Sequence, residues 1–578
     1  MVLSNSGWRG LFALDGEEGV SGGISWAQRL LGAAMGLVWG EWLVRQQGRG
    51  TTVLAGTDSR PTGPLLAEML MRGLEHSGCM VLYAGVVAAP EIMACSRQQG
   101  IGGFAYISAS HNPLGHNGVK FGLNGGVLGG PEAGRLREEL RRLIASKGAA
   151  ARLEAIVAHV YPRSADGAQK SRCLSSYWQF LEDIAGGPGT EQECRDTLNA
   201  LRRALKEYPV GILADLNGSA RCCSADSDYL ESLGLRFEAI NALPGAVAHK
   251  IEPEGEALEP CRLALEAAHA RDSSMLLGYV PDNDGDRGNL VIWDESIGGA
   301  RILEAQEVFA LAVLAELACA PRHSREAVVV NGPTSHRIRE IAAHYNAEVF
   351  EAEVGEANVV NRAAELRAEG YRVRILGEGS NGGCITHPAA VRDPLNTITA
   401  LLKLMRLPAR SGIPAPFADW CRRTGQPEPA GGLPSPAALT ASLPRYTTTP
   451  SSSARARISI STSDYAALKS AWEEIFARQW LARKNEWKQK FGFANWEEIN
   501  NEGTVSRSGV AARTGRETGG LKVVFRDDGG SYRGFLWMRG SGTEAVFRVM
   551  AELRGNRPEG ERELLEWMRD MVVSACKD

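Results

Sequence analysis

Four short stretches of this chain combine chemically active residue types with turns that can present them. The first is Ser108-Ala109-Ser110-His111-Asn112-Pro113, followed by Asn117-Gly118-Val119-Lys120. The apolar run Gly103 to Ile107 reads as a strand and Pro113 closes the turn, so Ser110 falls where a hydroxyl can face a cleft. His111 is poorly placed to deprotonate it, because neighbours on an extended chain point to opposite faces and the Gly-x-Ser-x-Gly elbow is missing. Taken alone, the Ser-His pair reads as a polar turn. The second stretch is Asp282-Asn283-Asp284-Gly285-Asp286-Arg287, directly after the strand-like run Met275 to Val280. Three carboxylates at alternate positions repel one another unless a cation offsets them, and hard oxygen ligands favour Mg²⁺ or Ca²⁺. An EF-hand does not fit: Arg287 and Trp293 stand where its sixth and twelfth positions need Gly and Glu. A solvated acidic turn is the alternative.

The third stretch, Gly377-Glu378-Gly379-Ser380-Asn381-Gly382-Gly383, follows the strand-like segment Tyr371 to Leu376. Its glycines allow close backbone approach, while Glu378 and Ser380 can hydrogen-bond vicinal hydroxyls of a sugar; alone it is equally a Gly-rich surface turn. The fourth is Arg539-Gly540-Ser541-Gly542-Thr543-Glu544, with Arg548 on the strand-like run that starts at Phe547. A guanidinium, two hydroxyls and the amides of a Gly turn make a nest for a phosphate dianion, and Arg548 can close the fork. The alternative is a hairpin turn with incidental charge. No Gly-Lys-Ser/Thr occurs in the chain, which rules out a Walker A loop.

The elements that must position these stretches repeat one grammar. Thr52 to Ala55 reads as a strand, Leu65 to Leu74 as a helix and Met80 to Ala84 as the next strand, a β-α-β unit. Val210 to Ala214 and Ala327 to Val330 are strands of the same kind, each ending in a turn that leads to a helix. Three such regions predict three α/β layers with site loops at the carboxyl ends of strands. Pro408 to Ser453 is rich in Pro, Ser, Thr and Ala and reads largely as linker. Beyond it, Tyr465 to Phe491 reads as a helix carrying Trp472, Trp480 and Trp487, whereas Asn500 to Gly520 reads as an exposed polar insertion. The expected domains are 1–175, 176–300, 301–425 and 454–578, with a linker over 426–453.

Composition bounds the rest. With 578 residues, 44% apolar and 23% charged, the chain is an ordinary globular sequence too long for one core. Lys plus Arg number 64 against 68 Asp plus Glu, a net charge of -4, so nothing in the bulk charge favours nucleic acid or an anionic membrane as a partner. The first ten residues lack a basic segment leading into an apolar run, and the apolar stretch Leu30 to Val44 is short and interrupted by Glu41. The 11 cysteines form no C-x-x-C pair and include the vicinal Cys222 and Cys223, which suits reduced thiols and a cytoplasmic location.

The four stretches, in this order, resemble the α-D-phosphohexomutase superfamily, which includes phosphoglucomutase, phosphomannomutase and phosphoglucosamine mutase. Ser108 to Pro113 matches its phosphoserine loop, Asp282 to Arg287 its D-x-D-x-D-R metal loop, Gly377 to Ser380 its G-E-x-S sugar loop and Arg539 to Glu544 its R-x-S-G-T-E phosphate loop. Gly7-Trp8-Arg9-Gly10 and Gly56-Thr57-Asp58-Ser59-Arg60 look like two further family segments. The resemblance implies three similar α/β domains plus a C-terminal α+β domain around a central cleft. It implies a phosphoserine enzyme that interconverts hexose 1-phosphate and hexose 6-phosphate through a hexose 1,6-bisphosphate, which also serves as activator. Ser110 would be the phosphoryl carrier and Lys120 the general acid/base, with Arg9 and His111 beside the phosphoserine. Mg²⁺ would sit on Asp282, Asp284, Asp286 and the Ser110 phosphate, and Arg287, Glu378, Ser380, Arg539, Ser541, Gly542, Thr543 and Arg548 would bind the phosphorylated hexose.

Departures from the family pattern bear on substrate choice. Asn381 stands where many members have a second Gly, Gly382 replaces a histidine of some members, and Ala545 follows Glu544 where Pro is usual. Val354-Gly355-Glu356-Ala357-Asn358 resembles the loop that helps choose the sugar but lacks the lysine of some phosphoglucomutases. The primary expectation is a phosphoglucomutase/phosphomannomutase; phosphoglucosamine mutase, a sugar-phosphate phosphatase and a non-catalytic sugar-phosphate-binding paralogue are the alternatives.

Overall fold

The computed structural model describes every residue except 5–6, 161–166, 322, 411, 430–431, 461, 463, 514–518, 541–545 and 577–578. The described residues form two compact units. One comprises Met1–Leu303, Ile385–Ala415 and Leu433–Ala437, the other Glu304–Cys384, Pro416–Gly432 and Ala438–Asp578.

The first unit contains two sheets. In the first, the strands run Val2–Ser4, Gly7–Leu11, His116–Leu123, Gly103–Ile107, Thr52–Thr57, Met80–Val86 across the sheet. Thr52–Thr57 pairs in parallel with both Met80–Val86 and Gly103–Ile107, and helix Gly63–His76 makes the crossover, as the apolar spacing predicts. The expected turn at Pro113 sends the chain back as the antiparallel strand His116–Leu123, which carries Lys120. The second sheet has the order Gly299–Ile302, Gly288–Asp294, Met275–Pro281, Gly211–Asp215, Arg236–Ile240. Met275–Pro281 and Gly288–Asp294 form a hairpin whose loop is the Asp282 to Arg287 stretch.

The apolar run Leu30 to Val44 lies inside helix Trp26–Gln47, whose middle is buried against helix Gly63–His76. The two helices approach so closely that a Cβ on Gly36 would sit 1.9 Å from the Leu70 carbonyl oxygen. Among the described residues, no helix is long and apolar enough to cross a membrane.

The second unit also holds two sheets. Strands Ala347–Ala352, Glu326–Asn331 and Arg372–Glu378 lie side by side and parallel, so Asn331 and Glu378 both fall at carboxyl strand ends. The other sheet is antiparallel, in the order Tyr446–Thr448, Val546–Arg554, Tyr532–Gly540, Gly520–Arg526, Asn495–Glu502, Val505–Ser508. Helix Tyr465–Phe491 covers it with Trp472, Phe476, Trp480 and Trp487, which share one helical face and pack with Phe525 and Trp567. Burying a single such aromatic side chain contributes on the order of 1.5–3 kcal/mol.

Two expectations are corrected here. Asn500 to Gly520 is not one exposed insertion: it includes the end of Asn495–Glu502 and the strand Val505–Ser508, and Asn500 and Asn501 are buried. Their amides find partners on Glu498 and Glu351, which makes a polar sequence compatible with an interior strand. The Pro-rich 408–453 segment, including the expected linker 426–453, is largely folded. It carries helices Pro416–Thr424 and Pro436–Ala441 and strand Tyr446–Thr448, with Trp420 and Leu439 buried. Pro416 and Pro436 stand at helix starts, where the missing N–H costs nothing.

Candidate active site

In the first unit, the Ser110 loop and the Asp282 to Arg287 loop meet. Ser110 is buried and left-handed, with φ 55°. A serine holds this conformation only where its surroundings over-determine it. Arg60 does so. Its fully buried guanidinium pairs with Asp58 at 3.1 Å. The Nη2 of Arg60 donates to the carbonyls of Ser110 and Asn112, each at 2.6 Å, and Nη1 to those of Leu114 and His116 at 3.1 and 3.0 Å. Ser108 completes the turn, accepting from the Ser110 N–H at 2.8 Å and donating to Asp284 Oδ2 at 3.2 Å. The Ser110 hydroxyl donates to Asp282 Oδ2 at 3.1 Å. His111 Nδ1 lies 3.4 Å from the same hydroxyl. Burial, together with the guanidiniums of Arg287, Arg9 and Arg392, holds its imidazole well below the usual range and therefore neutral.

The three aspartates are buried and bring one carboxylate oxygen each to within 4.8 Å of the others. Burial and repulsion from Asp284 and Asp286 raise Asp282, to about 7. Burial would raise Asp286 too, but Arg392, Lys120 and Arg287 override it and hold it down. Lys120 Nζ lies 2.6 Å from Asp284 Oδ2 and 3.5 Å from Asp286 Oδ2. Arg392 reaches Asp286 Oδ2 at 2.8 Å, and Arg287 Nε reaches Asp282 Oδ2 at 3.2 Å. Oδ1 of Asp284 and Oδ1 of Asp286 are buried without a hydrogen-bond partner. Orphaned anionic oxygens beside a third carboxylate are the donor set a hard divalent cation takes, so the residues present fit such an ion. With a divalent ion added, Arg9, Lys120, Arg287, Arg392 and the ion together exceed the charge of the three carboxylates, and a phosphate dianion would offset most of that surplus.

The aspartate loop is braced from behind. Arg221, fully buried, donates from Nε to the Gly285 carbonyl at 2.9 Å and binds Asp393 and the Tyr177 hydroxyl through its other nitrogens. Gly285 has φ +69°, and a Cβ there would meet Arg221 Cγ at 2.7 Å, so this position requires glycine.

In the second unit, Glu378 and Ser380 come together around Asn331. Asn331 Nδ2 donates to Glu378 Oε1 at 3.3 Å and to Ser380 Oγ at 3.0 Å, and Thr334 fixes its amide by donating to Oδ1 at 2.6 Å. Gly355 N–H donates to Glu378 Oε1 at 2.8 Å, which joins the Val354 to Asn358 loop to the Glu378 loop. A Cβ on Gly377 would collide with the Gly383 carbonyl at 2.0 Å. Arg539, Arg548 and Arg457 stand directly opposite one another across three antiparallel strands. Arg539 pairs with Glu353 at 2.8 Å. Like charges facing across a sheet destabilise it, so such a row suits a site that receives an anion. Ser541, Gly542 and Thr543 lie outside the described residues.

Sequence reasoning missed Arg221, Asn331, Arg392 and Arg457, and gave Arg60 no role. The one available signal was Arg60 in the Gly-x-Asp-x-Arg segment.

Two family models match the chain: phosphoglucomutase/phosphomannomutase, alpha/beta/alpha domain I, over residues 13–146, and domain III of the same family over residues 307–420. A phosphoglucosamine mutase from Parasynechococcus marenigrum is 28% identical over 277 residues, 48% of this chain and 51% of that protein. A phosphoglucomutase/phosphomannomutase from Thermococcus kodakarensis is 26% identical over 354 residues, 61% of this chain and 67% of that one. The first of these matches thus spans about half the relative's length. A crystal structure of a phosphoglucomutase/phosphomannomutase family protein from Burkholderia thailandensis shares the fold, with a TM-score of 0.63 at 18% identity over 100% of this chain and 98% of that one. Fold and loops together define a multidomain α/β protein built from repeated parallel-sheet layers and an antiparallel C-terminal sheet. Within that class, the chain matches domains I and III of the phosphoglucomutase/phosphomannomutase family, which supports its resemblance to the α-D-phosphohexomutase superfamily.

Proposed function

We propose that this chain is a phosphohexomutase that moves a phosphoryl group between O1 and O6 of a hexose by way of phosphorylated Ser110. The observation that carries the reading is the Ser110 hydroxyl, held left-handed by Arg60 and aimed at Asp282 amid three carboxylates and four cations. In the forward step, a sugar hydroxyl attacks the phosphorus of phospho-Ser110, the bond from phosphorus to Oγ breaks, and Oγ regains a proton. The resulting hexose 1,6-bisphosphate turns around and returns its other phosphate to Ser110. Mg²⁺, held by Asp282, Asp284 and Asp286, would supply positive charge to the transferring phosphoryl oxygens. Lys120 is the proposed acid/base, reaching the site from the strand next to the serine loop. Arg9 and Arg287 steady the phosphoserine, and His111, neutral, accepts or donates one hydrogen bond to it. Glu378 and Ser380, set by Asn331, bind sugar hydroxyls. Arg539, Arg548 and Arg457, with Ser541, Gly542 and Thr543, bind the phosphate that is not being transferred.

The substrate reading is a hexose phosphate of the glucose or mannose series. Phosphoglucosamine mutase is the second reading, favoured by the name of the Parasynechococcus relative. Purified protein with Mg²⁺, a trace of hexose 1,6-bisphosphate and glucose, mannose or glucosamine 1-phosphate will form the matching 6-phosphate. Release of inorganic phosphate instead would assign a phosphatase, and no conversion of any of the three would overturn the proposal. Ser110→Ala is expected to lower turnover by at least about 10³-fold while the protein stays folded.

A further inference from the structure

Away from the charged loops, two cysteines share the seam between helix Ala89–Cys95 and helix Ala168–Gly186 of the first unit. Cys95 ends the first helix, Cys173 lies in the second turn of the other, and both side chains are fully buried. Their sulfurs are 2.7 Å apart, with the Cys173 thiol donating to Cys95 Sγ. Gln169, one turn before Cys173, directs its amide Nε2 at both sulfurs, at 3.8 Å from Cys95 and 3.7 Å from Cys173. A cysteine buried only for packing behaves as a small apolar group. Here two donors converge on one sulfur, and that favours its thiolate. The hydrogen bond from Cys173 accordingly draws the Cys95 thiol below its ordinary value, while the same contact holds Cys173 up. Ser96 alone separates Cys95 from residues 97–100, which are exposed.

We propose that Cys95 and Cys173 form a redox-active dithiol that a peroxide converts to a disulfide. The Cys95 thiolate attacks one oxygen of hydrogen peroxide, forming an S–O bond as the O–O bond breaks, and the departing hydroxide takes a proton to leave as water. Cys173 sulfur then attacks the sulfenic sulfur of Cys95. The S–S bond forms, and the hydroxyl leaves with the Cys173 proton as a second water. Two electrons pass from two thiols to one peroxide, and a dithiol reductant reverses the change by exchange. The cross-link joins residues 78 apart in sequence and staples a helix already bound at its other end to the aspartate loop. There the Ala89 N–H donates to the Asp284 carbonyl at 2.8 Å, and midway Glu91 pairs with Lys170 of the partner helix at 2.6 Å.

The test uses the full chain, treated with hydrogen peroxide, alkylated and digested without reductant. The expected result is a peptide pair joined through Cys95 and Cys173 that dithiothreitol separates. The melting temperature should rise by roughly 2–4 °C on oxidation and fall back on reduction. Cys173→Ser should instead trap a sulfenic acid at Cys95 that reacts with dimedone. Cys222→Ser with Cys223→Ser should leave the cross-link intact. Recovery of Cys95 and Cys173 as free thiols, or of either joined to a different cysteine, would overturn the proposal. The peptide map of the unaltered chain decides this even where a variant does not fold, and none of it depends on mutase activity.

Discussion

The charged site of the first unit and the sugar-loop site of the second solve different problems. Around Ser110 the groups are ions: three buried aspartates against Arg9, Lys120, Arg287 and Arg392, with anionic oxygens left over for a cation. Around Glu378 the contacts include hydrogen bonds from the side-chain amides of Asn331 and Asn381, each at 3.3 Å, and from the Gly355 N–H at 2.8 Å. The first arrangement concentrates charge of both signs in a buried loop pair. The second surrounds one carboxylate with neutral donors. Electrostatic stakes are high where charges are buried close together, and modest where neutral groups pair.

Substitution of Arg60 attacks the first site hardest without touching a reacting atom. Arg60→Lys cannot span the carbonyls of Ser110, Asn112, Leu114 and His116 while pairing with Asp58. Leaving a buried pair imperfect is expected to cost about 3–5 kcal/mol in urea unfolding. Misplacing Ser110 should lower kcat about 10²-fold with KM nearly unchanged. A variant with full kcat would remove Arg60 from the role assigned to it.

Acid separates the two units more gently, and with opposite sign. Asp282 is raised from 3.8 to about 7, so its contribution to stability is fully present below pH 3.8 and lost as pH rises through about 7. In the second unit, burial would raise Glu351, but Lys522 and Arg339 hold it at about 2 against 4.5. Its contribution is present above pH 4.5 and lost as pH falls through about 2. Protection factors from hydrogen exchange of the protein in EDTA, corrected for the intrinsic pH dependence of amide exchange, should therefore rise near residues 275–294 on acidification from pH 7.5 to 5, while those of residues 347–352 hold steady and fall only below pH 4.5. Mg²⁺ should abolish the first trend, because a bound cation favours the ionised aspartates. Identical trends in both segments would erase the distinction. The smallest effect is expected from Asn331→Ala, which removes hydrogen bonds worth about 1 kcal/mol and should lower kcat/KM roughly fivefold. A loss as large as that from Arg60→Lys would show the sugar loop to be equally strained.

The strand-turn-helix grammar and the reactive loops were legible because each is local: a strand run, a Gly or Pro punctuation and a cluster of side chains within six residues. The parallel pairing of Thr52–Thr57 with Met80–Val86 and the helix Tyr465–Phe491 follow the same logic. Arg392 could not be read that way, because its partner Asp286 lies 106 residues earlier, nor could Arg221, bound to Asp393 172 residues later. Long cationic side chains look alike in a sequence whether they sit in water or in a buried pair. The Asn500 to Gly520 stretch misled for the converse reason, since buried asparagines with acidic partners resemble a solvated loop.

What the sequence determined by itself was the chemistry on offer: Ser110, the three aspartates, Glu378 and Ser380, Arg539 and Arg548, and the α/β repeats that carry them. Only the tertiary structure decided which charges compensate which, that Ser110 is held left-handed by Arg60, and that Arg457 joins Arg548 and Arg539 in one row. Composition and spacing are properties of the chain, but the energy of a buried charge depends on its neighbours within a few ångströms, and folding alone selects them.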